Sequence, residues 1–536
     1  MSEAVLRPPV QPAPVALGAD GQPVDWVKVF LGFGGMVVGQ FMAMLDIQIV
    51  ASSLTQIQSG IGATADEISW VQTIYLLAEV VIMPLTAYLT KMWGTRSFYV
   101  IAVVGFIVTS AAVGLSSSVP AMIVFRALQG LFAGAMIPPV FATAMTVFPA
   151  ERRVTANVIV GLIVTLSSTI GPTLGGHLTD LLSWRWLFFI NIPVGVLVIF
   201  LVGRYADFDK GDPDLSKGID WWGLILMAVG LLSLQYVLEE GASENWFEEP
   251  AILWLSVTAA VTGGAFIWRQ LGYRQPIVSL KPFRDVNFTL GILMTFVTGV
   301  SLFGGTFLMP IFLGSVRGYS SAEVGNVMLV TGATMFLSAP IAGRVVRLVD
   351  PRIAMVGGFA LAAWGIQIGV RVTDQWGFWE FFTLQVARGL GTMVAMIAAQ
   401  QMSVASLPVT MMKDASGLIN LTRNVAGAIG LAMLTTILSH QTAVHYMDLV
   451  SAANTANPTS SAMMDAVQSL MAANGAPDPE AMAYKAMGGM MQKQASVLAF
   501  GDAFAALAMG CWIAAGLAFF VRPAKDNAAP PAAGAH

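Results

Sequence analysis

The sequence predicts an all-α integral membrane protein of fourteen spanning helices: two six-helix bundles with two helices inserted between them. Three observations carry this. Of 536 residues, 56% are hydrophobic and 11% charged, where ordinary soluble domains carry about 25% charged residues, so a soluble fold of this length could not cover its surface. Fourteen apolar runs each approach the roughly 20 residues that cross a bilayer. A basic turn also recurs: Pro84-Leu85-Thr86 is followed by Lys91 and Arg96, and Pro340-Ile341-Ala342 by Arg347 and Arg352 at the same offsets.

Residues 1–26 are Pro/Ala-rich and polar and read as a disordered tail. The first apolar run is too long for the core of a cleavable signal and reads as a retained anchor. Spans 1–6 are expected at about 29–53, 68–89, 98–116, 121–146, 156–179 and 185–203, making an N-terminal bundle over 27–203. Residues 204–286 hold the two inserted helices, at about 219–238 and 251–270. A C-terminal bundle over 287–522 holds spans at about 288–312, 323–345, 353–371, 377–405, 415–438 and 496–521, with a second tail at 523–536. Within that bundle, 440–495 is too polar to span and is expected as a long external loop with room for two short amphipathic helices. An even number of spans puts both termini on one side. With the N-terminus cytoplasmic, 19 of the 27 Lys and Arg fall on inside segments and 5 outside, so the positive-inside rule places both termini in the cytoplasm. Repeated bundles around a central site are the architecture of secondary transporters.

Several chemistries are excluded. A net charge of −4 offers no global field for nucleic acid. The single cysteine, Cys511, permits neither an intrachain disulfide nor a Cys-based zinc cluster. No Gly-Lys dipeptide exists, so no phosphate-cradling loop of the ATPase kind is present. The Asp-rich loop 204–220 fails the calcium-loop pattern, with Asp212 at the required glycine and Gly218 at the final acid. The methionines of 440–495 suit Cu(I), but adaptable packing is their commoner use. No metal and no cofactor are expected. Uphill movement would draw on an ion gradient.

Intramembrane ionisable residues then carry the information, because charge in lipid is expensive. Asp46 and Arg126 sit at matching depth, roughly 8–12 Å below the outer surface by helical rise, and read as partners. Glu79, Arg388 and Arg423 lie near the middles of spans 2, 12 and 13. Burial favours the protonated form of a carboxylate and a neighbouring arginine the charged form, so a movement that alters either couples proton binding to conformation. Asp46, Arg126 and Glu79 are the proton-coupling candidates. Phe41, Tyr75, Glu79, Gln129 and Arg388 are the cavity candidates. Gly130-x-x-x-Gly134 and Gly171-x-x-x-Gly175 allow close helix contact, and Gly171-Pro172 can bend span 5.

Gly171-Pro172-Thr173-Leu174-Gly175-Gly176 resembles the antiporter motif of the major facilitator superfamily. Arg126-Ala127-Leu128-Gln129-Gly130 is similar to its helix-4 motif, and Leu45-Asp46-Ile47-Gln48-Ile49-Val50 to the helix-1 motif of its fourteen-helix drug–proton antiporters. Trp184-Arg185-Trp186-Leu187-Phe188-Phe189-Ile190-Asn191-Ile192-Pro193 matches the opening of helix 6 in that branch. The likeness covers about 27–522 and is greatest to the EmrB-type multidrug exporters. It implies the major facilitator fold and proton-coupled export of amphipathic or lipophilic toxic compounds from a bacterial inner membrane, with a periplasmic adaptor protein and an outer-membrane channel as partners. Export of one metabolite or fatty acid is the alternative; a passive channel or membrane sensor is the rival class. In the gate loop between helices 2 and 3 the chain departs from the pattern: Ala87, Lys91, Gly94 and Arg96 occupy its positions, with Lys91 where the family has an acid. Ser167 stands where the helix-5 motif usually begins with glycine.

Overall fold

The computed structural model describes residues 25–319, 321–453, 458–474 and 477–520, and every regular element among them is helical. The predicted tails 1–26 and 523–536 lie almost wholly outside the described residues. The N-terminal helices are α1 (Trp26–Ala51), α2 (Leu54–Ile61), α3 (Ala65–Ile82), α4 (Thr86–Trp93), α5 (Thr95–Leu115), α6 (Val119–Thr146), α7 (Ala150–Leu181), α8 (Trp186–Phe189) and α9 (Asn191–Tyr205). Two more follow, α10 (Trp221–Glu240) and α11 (Pro250–Gly272). The rest are α12 (Val286–Ile311), α13 (Ser321–Leu348), α14 (Pro351–Ile368), α15 (Phe378–Val404), α16 (Met412–Ala452), α17 (Pro458–Ala473) and α18 (Pro479–Ala518).

Twelve described segments are long and apolar enough to cross a membrane, thirteen when the bent pair α3–α4 counts as one span. With α7, which at 32 residues is about 48 Å long, each of the fourteen expected spans has a helix. Span 2 is not straight. It breaks at Met83-Pro84-Leu85 and turns through 57°, because proline donates no backbone hydrogen bond and clashes with the preceding turn.

Segment 440–495, expected as an external loop with room for two short amphipathic helices, is helical over most of its described length, in the end of α16, in α17 and in the start of α18. α16 and α18 run 41 and 40 residues, about 60 Å each, twice the hydrocarbon thickness of roughly 30 Å. Their excess forms a helical hairpin that carries α17. Val467, Ala483 and Met487 make its small core, with Met464, Met471 and Met491 packed against it, so these methionines fill space.

Within the N-terminal bundle, α1 packs on α7 and α9, and α3 on α6; in the C-terminal bundle, α12 packs on α16 and α14 on α15. The small residues act as the spacing suggests. A side chain on Gly130 would stand 2.3 Å from the Tyr75 carbonyl oxygen and one on Gly134 2.5 Å from that of Glu79, so α3 and α6 touch backbone to backbone. Gly130→Ala is expected to cost at least about 1–3 kcal/mol, the range for overpacking, read as a lower melting temperature of the purified protein. An unchanged melt would show that the two backbones part freely. The bundles meet where α7 lies on α13 and where α4 and α6 lie on α16. α10 lies against both α3 and α16, while α11 packs on α10 and turns most of its surface outward.

Candidate functional site

Asp46 and Arg126 form a fully buried ion pair, each side chain 0% exposed, with Arg126 Nη1 2.7 Å from Asp46 Oδ2. Two further donors complete the carboxylate: Gln129 Nε2 at 3.1 Å and Asn191 Nδ2 at 2.8 Å, both to Oδ1. The arginine also donates to Gln129 Oε1 at 2.9 Å and, through Nε, to the Val71 carbonyl at 3.1 Å. Its guanidinium stands 4.2 Å over the Tyr75 ring, and the Tyr75 hydroxyl donates to the Ala43 carbonyl. Four membrane helices thus converge on one ion pair, α6 and α9 bonding the Asp46 carboxylate of α1 and α3 holding the arginine. Taking two charges out of water costs several kcal/mol per ion, recovered only when the geometry is good and the remaining polar atoms are bonded. Here Asp46 is saturated with donors, while Arg126 Nη2 is buried with no hydrogen-bond partner.

Glu79 follows one turn after Tyr75 on α3 and is likewise buried. Asn424 Nδ2 of α16 donates to it over a long 3.4 Å and also reaches the Met83 sulfur at 3.2 Å. Among the described residues Glu79 forms no ion pair. It is therefore a mid-membrane carboxyl placed on the seam between the two bundles.

Arg388 lies apart from this cluster, inside the C-terminal bundle. Its Nη2 donates to Thr331 Oγ1 at 3.1 Å and Gln385 Oε1 at 2.9 Å. Arg423 donates weakly to Asn420, at 3.5 Å. Phe41 packs at the edge of the apolar cluster around Ile49, Met122 and Phe188, and Gln129, expected to face a cavity, is instead bound into the Asp46–Arg126 network.

At the end where α1 begins, the bundles are clasped by charge. Lys91 Nζ lies 2.6 and 2.7 Å from the two Asp414 oxygens. Beside it Lys413 pairs with Asp209, which also accepts from the Thr95 backbone N–H at 2.8 Å. Gly94 adopts φ +78° there, with Gly211 close against it, a backbone that glycine takes without steric cost. Arg96 is exposed. A Ser416 hydroxyl donating to the Pro138 carbonyl at 2.6 Å continues this contact inward. Lys91, in the place of the family's acid, thus holds an acid on the other bundle: the clasp exists with its polarity reversed.

α7 packs on α1 through its glycines: a side chain on Gly171 would meet Gln48 Cβ at 2.4 Å, and one on Gly175 the Ile49 carbonyl at 2.8 Å. Gly176 faces open space, and the side chains of Pro172 and Thr173 lie outside the described residues. Asn191, Asn424, Asp209 and Asp414 were not singled out from sequence as site residues. Only Asn191 had a signal, its place in the motif opening span 6.

Two helical bundles clasped at one end, with buried ionisable groups at mid-depth, define a secondary transporter. The chain belongs to the Major Facilitator Superfamily, whose family model matches residues 36–431. It is 37% identical over 413 residues, 77% of this chain and 81% of the relative, to the colistin resistance protein EmrB of Acinetobacter baumannii. To the multidrug export protein EmrB of Escherichia coli K12 it is 28% identical over 466 residues, covering 84% and 88% of the two chains. The crystal structure of the human organic anion transporter MFSD10 superposes with a TM-score of 0.55 at 11% identity, over 90% of this chain and 99% of that one, a likeness of fold.

Proposed function

We propose that this transporter is a proton-coupled antiporter of a bacterial inner membrane, with both termini cytoplasmic, that exports amphipathic or lipophilic toxic compounds by alternating access. The buried Asp46–Arg126 pair carries the reading. A carboxylate of α1 bonded from α6 and α9, opposite an arginine that α3 holds and that keeps one unbonded nitrogen, changes its hold on a proton when any of those helices moves. The names of the two EmrB relatives support export of toxic compounds. The clasped end, rich in Lys and Arg, is the cytoplasmic one by the positive-inside rule, so these contacts close the cytoplasmic gate. At the other end the α16–α18 hairpin, with Met447, Met463, Met482 and Met490 exposed, is the surface on which a periplasmic adaptor protein leading to an outer-membrane channel would sit. The test is export of a lipophilic dye from proteoliposomes under an imposed pH gradient: the rate should rise with the gradient and vanish when it is collapsed. A rate indifferent to the gradient overturns the coupling.

Glu79 supplies the choice among substrates. A buried carboxyl with one long hydrogen bond and no ion pair among the described residues can be neutralised by a proton or by a cationic amphiphile. Glu79→Gln should cut export of a cationic dye about tenfold, the loss expected for a charge-assisted contact, and leave a neutral dye within about twofold at matched protein level. Equal loss for both dyes would reduce Glu79 to a packing residue.

A further inference from the structure

The two bundles treat corresponding arginines differently. Val124-Phe125-Arg126-Ala127-Leu128 on α6 and Val386-Ala387-Arg388-Gly389-Leu390 on α15 share the pattern Val-x-Arg-x-Leu. Each arginine is steadied by a glutamine on its own helix at 2.9 Å, Gln129 and Gln385. In the N-terminal bundle the first helix brings Asp46 to the guanidinium. In the C-terminal bundle the first helix, α12, brings Gly305, which carries no side chain: a Cβ there would stand 2.0 Å from Arg388 Nη1, so this guanidinium lies against bare backbone where its counterpart meets a carboxylate. Arg388 is 3% exposed, its Nε has no hydrogen-bond partner, and it forms no ion pair among the described residues. Arg423, 8% exposed and with an unbonded Nε, repeats the situation on α16, where its backbone packs on Gly299 of the same α12. Arg388 lies about 15 Å from the start of α15 and Arg423 about 16 Å from the start of α16, about half the hydrocarbon thickness, where an uncompensated charge is costly and marks a ligand path.

We infer that Arg388 is the subsite that takes the anionic headgroup of a carboxylate-bearing amphiphile. The inference rests on the exporter reading and names one of its substrate classes. Guanidinium groups match carboxylates in a planar, two-pronged geometry, and Gln385 and Thr331 hold this one in place before a ligand arrives. The apolar part of the substrate has adaptable neighbours: Met335 lies against Gly389, and the methyls of Met393 and Met396 reach Gly161 of the other bundle. Methionine thioethers accommodate tails of varied shape.

The same headgroup chemistry could also serve a free inorganic anion, so the test has separate arms. The full chain in lipid nanodiscs is titrated with decanoate, with decanol and with chloride, and binding is followed by tryptophan fluorescence. Decanoate should bind the native chain at least tenfold more tightly than decanol. Arg388→Gln should weaken decanoate by about tenfold or more, the loss of one charge-assisted hydrogen bond, while leaving decanol unchanged. Arg388→Lys, which keeps the charge and guards against a folding defect, should recover part of the difference, and Arg423→Gln should show a smaller loss than Arg388→Gln. Decanoate and decanol binding alike, or Arg388→Gln losing nothing, overturns the inference; so does chloride that displaces decanoate completely, which marks an inorganic anion site. Gradient-driven export of decyltrimethylammonium, measured alongside, reports on the exporter reading independently.

Discussion

Asp46→Asn should yield a protein that reaches the membrane and binds substrate but exports none of it against a gradient. An amide has the size of the carboxylate and can keep a hydrogen bond to Arg126, yet it neither binds nor releases a proton. Export driven by an imposed pH gradient should fall to the level of protein-free liposomes, while substrate exchange without a gradient persists. The substitution has a second effect, since it leaves the Arg126 guanidinium buried without its counter-charge. Breaking a buried pair from one side costs about 3–5 kcal/mol, so the single variant should melt early. Removing both charges, as Asp46→Asn with Arg126→Gln, should return much of that stability without returning transport. The double variant therefore separates the proton-carrying role from the structural one. Uphill export surviving in either variant would take Asp46 out of the coupling mechanism.

The sequence disclosed this pair because charge is so rare inside a membrane that depth alone narrows the partners. Asp46 and Arg126 are 80 residues apart in the chain, but each is the only ionised group at its level of its own helix. The bend in span 2 is not among these expectations: Pro84 serves there only as part of the recurring basic turn. Contacts between the bundles left no such trace. Lys91 stood out only as a departure from a motif; its partner Asp414 is 323 residues away and lies beside an ordinary polar loop. No periodicity links two surfaces that meet only when both bundles are complete. The 440–495 hairpin exceeds the two short helices expected of it for a different reason. Its polarity argues against a span, but polarity does not oppose helix formation. Its Ala, Met, Gln and Lys are all strong helix formers, and they simply continue spans 13 and 14 beyond the membrane. Arg388 was visible as a mid-membrane charge, whereas the bare backbone of Gly305 beside it needed the packing of α12.

The reversed clasp gives the second large effect, and its polarity is what makes it testable. Lys91 is 34% and Asp414 9% exposed, with two short hydrogen bonds between them, so the pair is shielded enough from solvent to exceed the 0–1 kcal/mol of an ordinary surface bridge. Lys91→Asp sets two carboxylates against each other across the seam and should open the cytoplasmic gate. Export should then drop about tenfold or more, the equivalent of roughly 1.4 kcal/mol in the balance between the two states. Asp414→Lys should do the same by crowding Lys91 and Lys413. Combining the two restores an attractive pair with its charges exchanged and should return export to within about threefold of the native level, a coupling in the 0.5–3 kcal/mol range of contacting residues. Lys217 and Asp214 provide the control at the same end of the molecule: they form a pair at 2.7 Å but are 81% and 80% exposed, and Lys217→Asp should leave export unchanged. If the double exchange rescues nothing while both single variants fold, the clasp is an incidental contact, and the gate must be held by the apolar packing of α7 on α13 instead.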